Sequence, residues 1–426
     1  MKKLKQELLD RGLLYQFTND SLFEKFDKGE GNFYCGFDPT ADSLHLGNFI
    51  GFMVGVHLMR RGNKYIALTG GATGMIGDPG GKESERNFLS EEILDNNQKK
   101  ISAQISTILE NLKSFTGYDF KYGFVNNKDF YVGMGFLDFL REVGKYITVN
   151  SMINKDTVKK RIEDPSKSIS YTEFSYQLLQ GYDFCRLFKD DSVTLQIGGQ
   201  DQWGNLLTGT ELIRKKYDSE VHALTWPLIT DSTGKKFGKS EGNAMFLDKN
   251  KTSPYFIYQY FMNTSDEDIS KYMKMLTLLE TEEVDEIVKK HLQNPEKREG
   301  QKILAYKIVE IIHGAKDAKI AEKISNLMFS DQDKITIIKN SDKDEINSIF
   351  LELGGYNYNS ENLFEMIVKS GLATSNSDAR KTIESGAFYI NEQKITDIKY
   401  DFSNDFINGI LLIRKGKKNF KLVIKK

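Results

Sequence analysis

The sequence predicts an α/β protein: a parallel-sheet domain, then a helical domain, then a small α+β domain. From about residue 30 to 230, short β-rich runs alternate with amphipathic helical patterns, the signature of βα units. After Leu247 the texture turns to charged helix with few strand signals. From residue 361 onward there are 12 Lys plus Arg against 8 Asp plus Glu, a balance of +4 in a chain whose formal net charge is −1. The expected layout is a Rossmann-like parallel-sheet domain over residues 1–250, a helical domain over 251–340, a linker over 341–360 and an α+β domain over 361–426.

The expected strands are Asn32–Phe37, Tyr65–Thr69, Lys121–Val125, Val193–Ile197 and Val221–Thr225, each rich in β-branched or aromatic residues. Between them Leu46–Arg61, Glu91–Phe115, Thr172–Phe188 and Trp203–Lys216 carry apolar residues near a 3.6 period and read as helices. Gly-rich turns after the strands place ligand loops at their C-terminal ends. The 426 residues are 39% hydrophobic, enough for more than one core. Near neutrality excludes a global attraction to nucleic acid or anionic membrane, so any basic surface is local. Arg414 to Lys426 holds seven cations and no acid, a candidate phosphate contact. Two cysteines without a Cys-x-x-Cys pair suggest neither a disulfide framework nor a structural metal site, and fit a reducing cytoplasm. The N-terminal leucines are interleaved with charges, unlike a signal peptide, and no apolar run approaches the roughly 20 residues of a bilayer span.

Four segments carry chemistry. The first, Asn32 to Asn48, reads as strand, turn and helix start. Gly36 and Gly47 permit close approach of a ligand, Ser43 is the expected N-cap, and Thr40 with His45 supplies donors beside the positive end of the helix dipole. Phosphate fits there. The second, Ala67 to Lys82, packs glycines around Asp78, whose carboxylate suits an ammonium group, with Lys82 and Arg86 following as candidate pyrophosphate ligands. It lacks the Gly-Lys-Ser/Thr ending of a P-loop. In the third, Tyr171 to Asp183, Tyr176, Gln180 and Asp183 stand at i, i+4 and i+7 on one helical face. The fourth, Ile197 to Asn205, follows a strand and opens a helix; Gly199 and Asp201 suit a ribose, and Gln202 suits a carboxylate. Further on, Thr230 to Gly242 is a cationic loop with small residues at both ends. Taken singly, each of these features is an ordinary capped turn or solvated loop; their order is not.

The string Tyr34-Cys35-Gly36-Phe37-Asp38 through His45-Leu46-Gly47-Asn48 resembles the His-Ile-Gly-His signature of class I aminoacyl-tRNA synthetases, with flanks like the tyrosyl branch. Leu46 replaces isoleucine, and Asn48 stands at the second histidine, which keeps an amide donor but removes cationic character. Lys236-Phe237-Gly238-Lys239-Ser240 resembles the second signature in its tyrosyl form, and Tyr171 to Asp183 resembles the tyrosine-binding helix of that branch. Ser370 to Asn391 looks like a small αβ RNA-binding domain first known from a small-subunit ribosomal protein.

This resemblance implies a tyrosine–tRNA ligase that uses ATP with Mg2+, L-tyrosine and tRNA(Tyr), works as a cytoplasmic homodimer, and binds no structural metal. It assigns Cys35, Gly36, Asp38, Gly47, Asn48, Gly199, Asp201 and Lys239 to ATP. Thr40, His45, Lys82, Arg86, Lys236 and Lys239 act on the phosphates. Tyr176, Gln180 and Asp78 take the ammonium end of tyrosine, Gln202 its carboxylate, and Asp183 with Tyr34 its phenol. The helical domain is then anticodon-binding, the C-terminal domain RNA-binding through Arg380 and Lys381, and residues Gly133 to Asn154 are the candidate dimer interface. The rival expectations are a tryptophanyl enzyme of the same fold and a catalytically idle RNA-binding protein.

Overall fold

The computed structural model describes residues 2–79, 89–164, 168–234, 237–240, 243–329, 333–416 and 419–425. Two compact units emerge, Met1–Ser253 with Tyr260–His313, and Pro254–Gln259 with Gly314–Lys426. Among the described residues no helix is long and apolar enough to cross a membrane.

The first unit is organised by a six-stranded sheet of β1 (Gln16–Phe17), β2 (Asn32–Phe37), β3 (Lys64–Thr69), β4 (Tyr122–Asn126), β5 (Val193–Gly199) and β6 (His222–Trp226), in the order β1-β6-β5-β2-β3-β4. All neighbours are parallel except β1, which runs antiparallel on β6. The central strands β2, β3, β5 and β6 are buried along most of their length, as a parallel sheet covered on both faces requires. From β2 the chain builds outward through β3 and β4, then returns to build the other half from β5. The order therefore reverses between β2 and β5, and a crevice opens beyond their C-terminal ends.

Every strand of the expected set is present within two residues at each end, and so is the parallel α/β fold. The four expected helices are also present, observed as Leu46–Met59, Glu91–Thr116, Tyr171–Asp191 and Trp203–Tyr217. Leu46–Met59 is buried on every side from Phe49 to Met59, which makes it a rigid core rod and not a surface helix. Tyr171–Asp191 begins at Ser170, whose side chain caps the Glu173 amide, and Glu173 is itself held by Arg161 at 3.0 Å from each terminal guanidinium nitrogen.

The helical stretch after Leu247 does not form one separate unit. Asp266–Leu276, Thr281–His291 and Glu299–His313 belong with the sheet, and Asn111 on the Glu91–Thr116 helix donates to the Ile311 and Ile312 carbonyls at 3.3 and 3.1 Å. Ala315–Phe329 belongs instead to the second unit. An amphipathic pattern states that a helix has an apolar face, not which core receives it.

The second unit is built on a five-stranded sheet ordered Gln393–Ile395, Phe388–Ile390, Ile410–Lys415, Asn419–Lys425 and Tyr356–Tyr358, antiparallel apart from the last pair. Alternate residues of one strand serve two cores. Leu411 and Ile413 pack with the Leu363–Lys369 and Asn376–Glu384 helices, while Ile410 and Leu412 pack with Ile320, Ile324, Leu327, Ile346 and Ile349. The expected linker over 341–360 is therefore structured, as helix Lys343–Glu352 and strand Tyr356–Tyr358. Its Asn, Ser and Asp residues are caps and turns, such as the Asp342 and Glu345 capping box.

One buried polar cluster ties the N-terminus to the first unit. Glu7 on the Leu4–Asp10 helix receives Arg11 Nε at 3.2 Å, His57 Nδ1 at 3.1 Å and Arg61 at 2.5 Å, with Arg60 at 3.5 Å. Arg11 also donates to the carbonyls of Lys274, Thr277 and Leu279. Burial alone would raise the Glu7 carboxyl, but the His57 and Arg61 hydrogen bonds outweigh it and hold the group far below the usual carboxylate range. Removing one member strands the others. Glu7→Ala is expected to lower stability by about 3–5 kcal/mol in urea unfolding, and a loss below about 1 kcal/mol, the value of a surface pair, would contradict this account.

Candidate active site

A cavity of about 620 Å³ opens where β2 and β5 diverge, lined by residues of all four sequence segments that carry chemistry. β2 supplies Tyr34, Cys35 and Gly36; Gly36 is the exposed position of an otherwise covered strand. The loop after it supplies Asp38 and Thr40, and the start of the Leu46–Met59 helix supplies His45, Gly47 and Asn48. Asp78 enters from the Gly-rich loop, Tyr176, Gln180 and Asp183 from one face of Tyr171–Asp191, and Gly199, Asp201 and Gln202 from the end of β5. Lys82, Arg86 and Lys236 lie outside the described residues, and for Lys239 only the backbone is described, in a two-residue strand paired with Asn243–Ala244. Arg380 and Lys381 are exposed on the Asn376–Glu384 helix of the second unit.

The N-cap of the first helix is His45, not Ser43 as expected. Its Nδ1 accepts from the Asn48 amide at 3.3 Å, and Asn48 Oδ1 accepts from the His45 amide at 3.1 Å. An accepting Nδ1 places the ring proton on Nε2. Asn48 thus acts first on the backbone and on His45, and a side chain on Gly47 would come within 2.9 Å of the imidazole. Ser43 is instead buried, linking Gln104 and the Asp248 amide.

The cationic loop is sewn to this turn. Leu46 N donates to Met245 O at 2.9 Å, Leu247 N to Leu44 O at 2.8 Å, and Met245 N to Gly238 O at 3.0 Å. Gly238 has φ +77°, and an added Cβ would lie 3.0 Å from Leu46 and 3.2 Å from the Gly47 nitrogen, so no other residue fits without strain. Its neighbour Phe237 is buried among Tyr260, Phe261 and Tyr272. In Lys-Phe-Gly-Lys the middle pair is the anchor, and the lysines flank it.

At the closed end of the cavity the groups are buried and aromatic. Asp183 receives Asn127 Nδ2 at 2.9 Å on Oδ2, and Tyr131 stands 3.4 Å from Oδ1. Burial pushes its carboxyl up to about 8, the Asn127 and Tyr131 hydrogen bonds pull against that, and the charge of Asp38 adds to it. Tyr34 is buried and held well above the ordinary phenol range by burial and by Asp183. Its hydroxyl has no hydrogen-bond partner among the described residues, nor have Gln180 Oε1 and Gln196 Oε1, all on residues that line the cavity. Buried polar atoms left open on the wall of a cavity call for a polar ligand. Burial also pushes the Cys35 thiol up to about 12, which leaves it unreactive.

Midway along the cavity Tyr176 donates to Asp38 Oδ2 at 2.8 Å and Thr73 to Asp38 Oδ1 at 2.7 Å. Asp38, expected beside the nucleotide, is thus bound to the helix that carries Tyr176 and Gln180. Gln202 donates to Asp78 Oδ2 at 2.6 Å and accepts from Asn205 at 3.3 Å, so both ends of its amide are engaged. Asn127, Thr73, Tyr131 and Gln196 were not foreseen. The available signal for Asn127 was its place just past the expected strand Lys121–Val125, where ligand loops of a parallel sheet sit. Among the described residues no cluster of His, Cys, Asp or Glu is arranged to hold a metal ion.

A family model described as tRNA synthetases class I (W and Y) matches residues 27–330, the span that contains this cavity and both sewn loops. The chain is a class I aminoacyl-tRNA synthetase. Residues 345–423 match a second model, the SYY-like C-terminal domain of tyrosine–tRNA ligases. A tyrosine–tRNA ligase of Streptococcus pyogenes serotype M5 is 44% identical over 424 residues, covering 98% of this chain and 99% of the relative. A C-terminally truncated mitochondrial tyrosyl-tRNA synthetase of Aspergillus nidulans superposes with a TM-score of 0.70 at 30% identity, over 77% of this chain and 95% of its own. A tryptophanyl-tRNA synthetase of Plasmodium falciparum, at 16% identity and a TM-score of 0.54, shares the fold alone. The synthetase thus belongs with the tyrosyl branch by sequence along its whole length.

The elevated Asp183 carboxyl makes stability depend on pH. The folded protein keeps a proton that the unfolded chain loses near pH 4, so stability falls as pH rises from about 4 to about 8. Urea unfolding at pH 5 and pH 8 is expected to show a decline in the unmodified protein that exceeds that of Asp183→Asn by at least about 1.4 kcal/mol, the equivalent of one tenfold change in proton affinity. Parallel declines would mean that Asp183 titrates normally.

Proposed function

We propose that this synthetase activates L-tyrosine with ATP, as the magnesium complex, and transfers it to tRNA(Tyr). The observation that carries the choice of amino acid is the closed end of the cavity, where the buried Tyr34 hydroxyl, without a hydrogen-bond partner among the described residues, stands beside the Asp183 carboxyl. The substrate phenol donates to Asp183 and accepts from Tyr34. Phenylalanine would leave the Tyr34 hydroxyl unpaired and offer Asp183 no donor, the principle of hydroxyl selection for which this enzyme family is itself the usual example. Tryptophan would gain nothing from this pair in that position. The ammonium end lies against Tyr176, Gln180, Asp38 and Asp78, with Gln202 holding Asp78 in place.

ATP then occupies the mouth of the cavity. Its phosphates meet the N-terminus of Leu46–Met59 beside Thr40, His45 and Gly47, and its ribose meets Gly199 and Asp201. A carboxylate oxygen of tyrosine attacks the α-phosphorus, the bond to the β-phosphate oxygen breaks, and pyrophosphate leaves. The nucleophile is already charged, so no general base is needed. Positioning and electrostatics do the rest, with Lys82, Arg86, Lys236 and Lys239 as the cations drawn to the departing phosphates. In the second step the terminal ribose hydroxyl of the tRNA attacks the tyrosyl carbonyl, loses its proton and displaces AMP. Helices after Leu247 serve the anticodon, and Arg380 with Lys381 binds the RNA backbone.

The enzyme works in the cytoplasm as a homodimer. Val132, Phe136, Leu137 and Val149 are 79%, 65%, 72% and 58% exposed within one short stretch, an apolar patch fit for a second copy. Sedimentation of Leu137→Glu is expected to show monomers where the parent shows dimers, and an unchanged dimer would place the interface elsewhere.

Tyrosine-dependent exchange of labelled pyrophosphate into ATP tests the reaction directly. Exchange is expected with tyrosine and essentially absent with tryptophan or phenylalanine; the reverse preference would refute the assignment. Arg380→Glu with Lys381→Glu is expected to spare exchange and to slow tRNA charging at least about tenfold, with the gap from the parent narrowing as salt rises. Equal loss in both assays would point to a folding defect and not to RNA contact.

A further inference from the structure

Asp183 is met by two donors from a single short element, the 3₁₀ turn Asn127–Tyr131. The two are not alike. Asn127 is locked: its Oδ1 accepts from the Ala72 amide at 2.7 Å, and its Nδ2 reaches both Thr73 Oγ1 at 3.0 Å and Asp183 Oδ2 at 2.9 Å. Tyr131 has a choice. Its hydroxyl lies 3.2 Å from the Leu179 carbonyl oxygen and 3.4 Å from Asp183 Oδ1. One hydroxyl carries one proton, so it serves one of these acceptors at a time. A charged carboxylate outbids a neutral carbonyl, and a protonated one does not.

We propose that Tyr131 is a positioning residue for substrate selection: its hydroxyl turns from Leu179 to Asp183 when that carboxyl ionises, and so sets the pH range in which the tyrosine phenol finds a charged acceptor. This rests on the reading that Asp183 meets the substrate phenol. The ring itself does not move, because it packs against Tyr182 and Phe139 with centroids 5.6 and 6.2 Å away. Only the O–H proton turns. The other charged and ionisable groups around the pair are Tyr34 and Asp38 from β2 and its loop, Tyr176 and Tyr182 from the helix of Asp183, and Arg186, which lies over the Phe130 and Tyr182 rings. Burial and Asp38 favour the protonated Asp183, whereas Asn127 and Tyr131 favour the charged one. Deleting the Tyr131 hydroxyl leaves the first pair less opposed.

The experiment measures tyrosine affinity from pH 6 to pH 9.5 by equilibrium dialysis, with KM and kcat for pyrophosphate exchange, on the full chain and on Tyr131→Phe and Asp183→Asn. With affinity referred to the tyrosine that still carries its ammonium proton at each pH, the parent is expected to bind more tightly as pH rises, to a plateau. Tyr131→Phe is expected to move the midpoint upward by about one pH unit, which at pH 7 raises KM for tyrosine roughly tenfold. Above the shifted midpoint its affinity returns to within about twofold, and kcat at saturating tyrosine stays within about twofold. A structural role would weaken binding equally at every pH, and that result, or a profile superimposed on the parent's, overturns the proposal for Tyr131. If Asp183→Asn binds tyrosine as the parent does, the assignment of Asp183 to the phenol fails, and the proposal fails with it.

Discussion

A carboxyl group shut away from water at the closed end of the cavity sets the conditions that the neighbouring residues must meet. An unpaired carboxylate in such a place is very costly, so Asp183 must be met by donors. Those donors come from the Asn127–Tyr131 turn, and the turn is fixed in its own right by the Ala72 amide. The helix that carries Asp183 is pinned at its start by the Arg161 and Glu173 pair, some three turns away from the acid. The surroundings leave the Tyr34 hydroxyl without a protein partner among the described residues. On the proposed reading a ligand phenol supplies the missing group, and selection then follows from an incomplete network more than from shape.

The other end of the cavity is governed by backbone. Two loops nearly 200 residues apart in sequence share main-chain hydrogen bonds through Leu44, Leu46, Met245 and Leu247, and both rest on a helix with no exposed face between Phe49 and Met59. The amides at the start of that helix are thereby set on a buried element, and the second loop is anchored by the buried Phe237 and the left-handed Gly238. On the proposed reading, rigid donors suit a reaction in which charge moves outward with the departing pyrophosphate.

Much of this was legible in the sequence because the responsible signals are local. Period-two and period-3.6 patterns located the strands and helices, and the i, i+4, i+7 spacing put Tyr176, Gln180 and Asp183 on the face that lines the cavity. What stayed hidden depends on partners distant in the chain. Asn127 is an unremarkable strand-end residue until Asp183 and Thr73 are brought to it across 56 and 54 positions. The N-cap fell to His45 because an imidazole nitrogen can accept as a serine oxygen does, a use that residue preferences rank low. The supposed linker over 341–360 had the composition of a loop because caps and turns use the same residues.

The sheet of the first unit treats its two edges differently. On one side the two residues of β1 lie antiparallel along β6 and cover its outer hydrogen-bonding groups. On the other, β4 pairs with β3 alone among the described residues, and Phe124 in its middle is 39% exposed. Just after it in the chain comes the apolar run from Val132 to Leu137. A bare strand edge beside apolar side chains is a template for unwanted pairing between molecules, whereas a short antiparallel cover strand prevents it. Chain association at that side would therefore do more than enlarge the enzyme: it would keep newly made copies from polymerising through their sheets.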